Sequence, residues 1–96
     1  MAEYNALQPP PSANEKGGIE VLRAAVIDGG LHVTLRRAFD DPQAWGVLLA
    51  DVARQVARVY EQQGERAEAE VITTIRNAFD TAMNAPSNPG SISPVS

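Results

Sequence analysis

Two segments of alternating apolar and polar residues, Ile19–Ile27 and Leu31–Arg37, flank the triplet Asp28-Gly29-Gly30. Alternation with a period of two predicts β-strands. Glycines at a tight turn supply the positive φ that a hairpin needs. The sequence therefore predicts a β-hairpin, whose two-residue loop is either Gly29-Gly30 or Asp28-Gly29. Both registers place the same residues on the same faces.

The two faces of this hairpin differ in character. One face is wholly apolar and has to be covered in the folded protein, and the two helices predicted below can cover it. On the other face, polar side chains stand among apolar ones, and we predict that they form a binding surface. The apolar face carries Leu22, Ala24, Val26, Leu31, Val33 and Leu35, and the polar members of the mixed face are Arg23, His32, Thr34 and Arg36.

The hydrophobic period changes beyond the second strand. Asp40-Asp41-Pro42 predicts a helix start, because aspartate accepts free N–H groups of the first turn and proline suits the first helical position. An apolar stripe at spacings of three and four then runs from Trp45 to Tyr60, and Gly64 is expected to end the helix. A second stripe predicts a helix at Ala67–Met83. The predicted fold class is α+β, a β-hairpin followed by two α-helices (ββαα).

Both ends of the chain have the composition of tails. We predict a flexible Pro-rich N-terminal tail at 1–17, a single α+β domain at 18–83 and a disordered C-terminal tail at 84–96. A folded unit this small gains little from one core, and a lone hairpin leaves two open strand edges. We therefore expect a homodimer, formed through either strand edges or helix faces.

The composition narrows the functional classes. Twelve acidic residues outnumber eight basic ones, giving a net charge of −4, which weighs against nucleic-acid binding. The absence of cysteine excludes disulfides and thiolate chemistry. No apolar run approaches the roughly 20 residues that span a membrane, and the acidic Glu3 with no apolar segment argues against a secretory signal. We expect a cytoplasmic protein without membrane contact.

The candidate catalytic and metal-binding residues have simpler structural explanations. His32 is the only histidine, and Thr34 is the only hydroxyl that can be placed beside it. Asp40 and Asp41 could bind a divalent cation, but helix capping before Pro42 explains both without a metal. We expect no enzymatic activity, no catalytic residue, no cofactor and no metal.

Arg23 and Arg36 allow a second function. Two guanidinium groups on one face can hold a phosphate or a carboxylate between them, although they can equally pair with acids of a helix or of a second subunit. An acidic cluster at the junction of the helices offers such a partner, and it comprises Glu61, Glu65, Glu68 and Glu70. Small-anion or nucleic-acid binding through the basic hairpin face is the alternative to protein interaction.

The block GGIEVLRAAVIDGGLHVTLRRAFDDPQAWGVLLADVARQVARVY resembles small uncharacterised alphaproteobacterial proteins, a family of unknown function. The resemblance covers Gly17 to about Phe79 and implies a bacterial, cytoplasmic protein. It implies no activity, cofactor or catalytic residue. From the residues themselves we expect a non-enzymatic protein-interaction or scaffold module that acts as a homodimer and binds a further, unidentified protein.

Overall fold

The computed structural model of the protein describes residues 3–85 and, as backbone, residues 91–95. An antiparallel hairpin followed by two helices confirms the predicted α+β fold class. Within these residues no helix is long and apolar enough to cross a membrane. In chain order the elements are α1 (Pro11–Lys16), β1 (Leu22–Ile27), β2 (Gly30–Arg36), α2 (Gln43–Gln62), α3 (Glu68–Asn84) and β3 (Ser91–Val95).

The hairpin turns at Asp28-Gly29. Ile27 pairs with Gly30 across the two strands, so the second of the two predicted registers is the one formed. Asp28 has φ 52° and Gly29 has φ 77°, and two successive residues with positive φ are the signature of a type I′ turn. Aspartate tolerates this region better than most residues, which explains why the chain does not need the glycine pair there.

A third strand extends the sheet. β3 runs parallel to β2 on the side away from β1, so the strand order is β1-β2-β3. It lies within the segment predicted as a C-terminal tail, just as the short helix α1 lies within the predicted N-terminal tail. Strand pairing satisfies backbone groups whatever the side chains are, so composition does not reveal it. Residues 1–2, 86–90 and 96 of those predicted tails lie outside the described residues.

The ends of α2 follow the predicted signals. The backbone N–H of Gln43 donates to Asp41 Oδ1 at 2.9 Å, which confirms the aspartate cap. At the other end Gly64 has φ 75° and donates its N–H to the carbonyl of Glu61, while Glu65 donates to the carbonyl of Tyr60. These two hydrogen bonds form a Schellman motif, in which glycine takes the left-handed position that stops the helix.

The start of α3 is held by the end of α2. Ala67 stands at the N-cap and has no side chain to cap with. Glu61 replaces it, because its Oε2 accepts a hydrogen bond from the N–H of Glu68 at 2.8 Å. Arg58 Nε lies 3.5 Å from Glu68 Oε1 and adds an ion pair across the same junction. The two helices are thus joined into a helical hairpin.

The core of a single chain is very small. In the described residues only Ala57 of α2 and Val71 of α3 are buried hydrophobics, and α2 packs on α3 around them. No Cα of the three strands comes within 8 Å of a Cα in either long helix. The expectation that the helices cover the apolar hairpin face is therefore not met within one chain. The sheet and the helical hairpin are two separate packing units.

Candidate functional site

The four polar residues predicted to form a binding surface lie close together on the hairpin. Arg23 is on β1, and His32, Thr34 and Arg36 are on β2. Arg23 is directly opposite Thr34, whereas the N–H of Arg36 donates to the carbonyl of Val21 at 2.9 Å. The two arginines are diagonal neighbours on the sheet, and their like charges are therefore further apart than a directly opposed pair would be.

Arg23 is already paired with a carboxylate. Its Nε and one terminal nitrogen donate to the two carboxylate oxygens of Glu20 at 3.1 and 2.9 Å. The other terminal nitrogen donates to Tyr4 Oη at 3.5 Å. The hydrogen bond with Tyr4, followed by the hydrogen bond with Glu20 and its negative charge, raises the pKa of Arg23. The two contacts to Glu20 are the shorter ones and fix the guanidinium in a bidentate geometry.

Glu20 contacts the second arginine as well. Arg36 Nε donates to the backbone carbonyl of Glu20 at 3.4 Å. The depression that Arg23, Thr34 and Arg36 line beside Glu20 has a volume of about 90 Å³, roughly the volume of three water molecules. The Glu20 carboxylate already pairs with Arg23, whereas Arg36 contacts the backbone carbonyl of the same residue. The pairing of Arg23 weakens the charge argument for anion binding.

Sequence reasoning did not identify Glu20 and Tyr4 as part of this surface. The spacing of three between Glu20 and Arg23 is a helix signal, and here it occurs where the chain enters β1. Tyr4 belongs to a segment with the composition of a tail. The contact to Tyr4 shows that part of the predicted N-terminal tail lies against the hairpin.

His32 and Thr34 are not hydrogen-bonded to each other. His32 is half-buried and Thr34 is exposed. In the described part of the chain neither side chain makes a hydrogen bond to another residue. Their Cα atoms are about 7 Å apart on one strand face, and the hydrogen bond by which a base activates a nucleophile is not formed between them.

The acidic residues serve the helix ends. Asp41 caps α2 and Glu61 caps α3, while Glu70 forms an ion pair with Arg66 at 3.9 Å. Among residues 3–85 no group of three or more histidines and acids is arranged to hold a metal ion. Three members of the acidic cluster predicted at the junction, Glu61, Glu68 and Glu70, therefore have partners within their own chain.

An apolar cleft opens between α2 and α3. It has a volume of about 300 Å³, and small residues of α2 (Gly46, Ala50, Ala53) face large ones of α3 (Ile75, Phe79) across it. Small residues let helices approach closely but leave space where the partner side chains do not fill it. Two arginines, Arg54 and Arg76, also line the cleft.

Two further apolar surfaces are uncovered. We call the first the sheet face; it consists of Ala24, Val26 and Leu31, at the turn end of the hairpin. Val26 and Leu31 are cross-strand partners. They are 75% and 59% exposed. We call the second the outer face of α2; it consists of Val52, Val56 and Val59, which follow one another at helical spacing and are 38–47% exposed.

Comparison with known proteins identifies the family. The sequence profile of a domain of unknown function, DUF5076, matches residues 6–87. This chain belongs to the DUF5076 family. The resemblance to a family of unknown function is thereby confirmed, and the matched range includes α1, the hairpin and both long helices. No curated protein matches the DUF5076 chain significantly.

A solved structure is similar to the DUF5076 chain over nearly its whole length. It comes from the photosynthetic bacterium Rhodopseudomonas palustrus CGA009 and is provisionally described as a pyruvate dehydrogenase. The two sequences are 39% identical, the match covers 92% of this chain and 91% of the other, and the TM-score is 0.75. Both proteins therefore share the DUF5076 fold at about the same chain length.

Proposed function

We propose that this DUF5076 protein is a non-enzymatic interaction module that works as a homodimer. One observation carries the proposal: the sheet and the helical hairpin of a single chain do not pack on each other, and each leaves apolar side chains in contact with water. A stable domain needs two layers around one core. A second copy supplies the missing layer to both units.

The size of the exposed surface supports this proposal. The chain has an accessible surface of 8322 Å², whereas a compact monomer of this mass exposes roughly 5,400 Å². Its radius of gyration is 15.4 Å, against about 12.5 Å for a compact domain of this length. Apolar surface drives association roughly in proportion to the area removed from water. A chain this open gains more from pairing than a compact monomer would.

The polar hairpin surface is our candidate for contact with a further protein. Arg23, His32, Thr34 and Arg36 lie together outside both apolar surfaces, and the bidentate pair with Glu20 holds Arg23 in one geometry. Fixed polar groups at the rim of an interface provide specificity more than affinity.

Light scattering after size exclusion, over a range of concentrations, tests the homodimer. We expect a mass of twice that of the chain, retained on dilution to the lowest measurable concentration. A mass of one chain at every concentration would overturn the proposal. The polar variant Val26→Asp with Val56→Asp should shift the mass toward one chain, since charges in a dry interface are costly. The matched control Val47→Asp, at a 66% exposed position on α2, should leave the mass unchanged.

A further inference from the structure

We infer that the sheet face of one copy packs on the outer face of α2 of a second copy, and that the contact is reciprocal. The inference rests on the proposed homodimer and specifies which surfaces form it. We infer a second copy for two reasons. Each surface lacks an apolar layer packed on it within its own chain, and the chain exposes more surface than a compact monomer does.

The sheet face requires a cover of apolar chemistry. An antiparallel sheet in a soluble protein can leave one face to water, but that face is then polar. Here the apolar face is the one left in water, since Val26 and Leu31 are among the more exposed large hydrophobics, while on the opposite face Arg23 is paired with Glu20. Neither residue has a charged neighbour on its own face of the hairpin, because Ala24 and Val33 form the next cross-strand pair.

The outer face of α2 has the complementary requirement. Helix α2 meets α3 along its alanines, with Ala57 fully buried at the contact. At about 100° per residue, Val52 and Val59 lie on an adjacent stripe that turns away from α3, while Val56 stands at its border and also lines a depression with Val71 and Ile75 of α3. This helix therefore has two apolar stripes, and α3 covers one of them. A helix with a wide apolar arc is typical of one that packs against two neighbours.

Within one chain the sheet face does not meet α2, because no Cα of the strands lies within 8 Å of a Cα in that helix. Only residues 37–42 connect β2 to α2, and two contacts hold this connection. Phe39 packs edge-on against Trp45 with ring centroids 5.2 Å apart, and Asp41 caps the first turn of α2. These contacts fix the start of the helix next to the connection. The sheet therefore remains free to meet another copy.

Reciprocal packing is favoured over pairing of like surfaces. Sheet-on-sheet contact alone leaves the outer face of α2 in water, and helix-on-helix contact alone leaves the sheet face in water. One two-fold axis that exchanges the sheets covers both surfaces in both copies. The chain exposes roughly 3,000 Å² more than a compact monomer of its mass. The exposed segment before β1 accounts for part of this excess, and the rest is surface that a second copy can cover.

Engineered disulfides test this arrangement directly, since the chain has no cysteine of its own. A tagged chain carrying Val26→Cys is coexpressed with an untagged chain carrying Val52→Cys, Val56→Cys or Val59→Cys, and each pair is oxidised. A disulfide forms only where the two Cα atoms approach within about 7 Å. We expect at least one pair to give the cross-linked dimer of tagged with untagged chain in several-fold excess over the control pair.

The control pair combines Val26→Cys with Val47→Cys. Val47 is nine residues from Val56, which is about two and a half helical turns, so it lies on the opposite side of α2 at similar or greater exposure. Circular dichroism of each variant checks that the exposed substitutions leave the fold intact.

The outcomes separate the two proposals. Disulfides between tagged and untagged chains at the outer face of α2, absent from the control, support reciprocal packing. Disulfides only between identical variants, in a protein that light scattering finds dimeric, overturn reciprocal packing and leave the homodimer standing. No cross-link in a confirmed dimer likewise overturns reciprocal packing. A monomer overturns both.

Discussion

Glu20 binds Arg23 through both of its carboxylate oxygens, at 3.1 and 2.9 Å, just before the chain enters β1. The same residue also accepts a hydrogen bond from Arg36 through its backbone carbonyl, so Glu20 contacts both arginines while its negative charge pairs with Arg23. The pKa of Arg23 is raised from an already high value. Any stability that Arg23 adds is therefore present throughout the ordinary pH range, and it is lost only as strongly alkaline pH passes that raised pKa.

Replacing Glu20 should expose an anion site that the native protein hides. In Glu20→Gln the Arg23 guanidinium loses its carboxylate partner, so we expect inorganic phosphate to shift the Arg23 and Arg36 side-chain resonances in a saturable and salt-sensitive way. The native protein should show no such shift at the same millimolar concentrations. Nuclear magnetic resonance titration measures both.

Glu65→Gln is the matched control for this titration, because it removes one negative charge from the loop between α2 and α3 and leaves the Glu20 pair intact. Native protein that binds phosphate as strongly as Glu20→Gln would contradict the neutralising role of Glu20. It would also restore anion binding as the function of this surface.

We expect that substitution of Gly29 in the hairpin turn lowers the stability of the protein. Its φ of 77° is strained for any residue with a Cβ, so we expect Gly29→Ala to lower the free energy of unfolding by about 1 kcal/mol. Gly46 lies inside α2, and a Cβ there would meet no atom within 4 Å. Gly46→Ala should raise the free energy of unfolding by about 0.5–1 kcal/mol.

Urea denaturation at one fixed protein concentration compares these two alanine variants. Opposite shifts of the midpoint are the expected result. A Gly29→Ala variant as stable as the native protein would contradict the positive φ of Gly29 in the hairpin turn.

Removing the Glu61 side chain should destabilise the helical hairpin at the junction between α2 and α3. Glu61→Ala leaves the N–H of Glu68 without its acceptor at 2.8 Å, and the loss of a helix cap costs about 0.5–2 kcal/mol. We expect a lower urea midpoint together with faster hydrogen exchange at the Glu68 amide. Both measurements are made on the same samples.

Glu65→Ala provides the comparison for Glu61→Ala, since the Glu65 carboxylate has no hydrogen-bond or ion-pair partner among the described residues. We expect its effect to stay within about 0.5 kcal/mol. An equal loss in both variants would mean that the junction depends on its negative charge as a whole, and that the single hydrogen bond to Glu68 is unimportant.

The local elements could be predicted from the sequence because their signals are local. The two faces of the hairpin follow from the pleat, and Asp41 and Gly64 mark the ends of α2 by backbone chemistry that acts within one turn. The sequence does not decide the register of the hairpin, because Asp28-Gly29-Gly30 offers two possible two-residue turns with positive φ. Only the conformation of Asp28, with its φ of 52°, decides between them.

The arrangement of the elements could not be predicted in the same way. The apolar face at Val26 and Leu31 indicates that another surface packs against it, but the sequence does not indicate which surface that is. The bidentate pair of Glu20 with Arg23 depends on where the chain bends before β1, which no periodicity encodes. β3 pairs through its backbone, so a composition typical of a tail concealed it.

The parallel pairing of β3 with β2 also determines the order in which the chain can fold. Partners such as Val33 and Ile92 are separated along the chain by the whole helical hairpin, whereas β1 meets β2 through two turn residues. Hairpins form within microseconds, but strands far apart in sequence must first close a long loop and therefore join slowly. The sheet is thus built in two stages, and the far edge of β2 remains open to other strands until the last residues of the chain arrive.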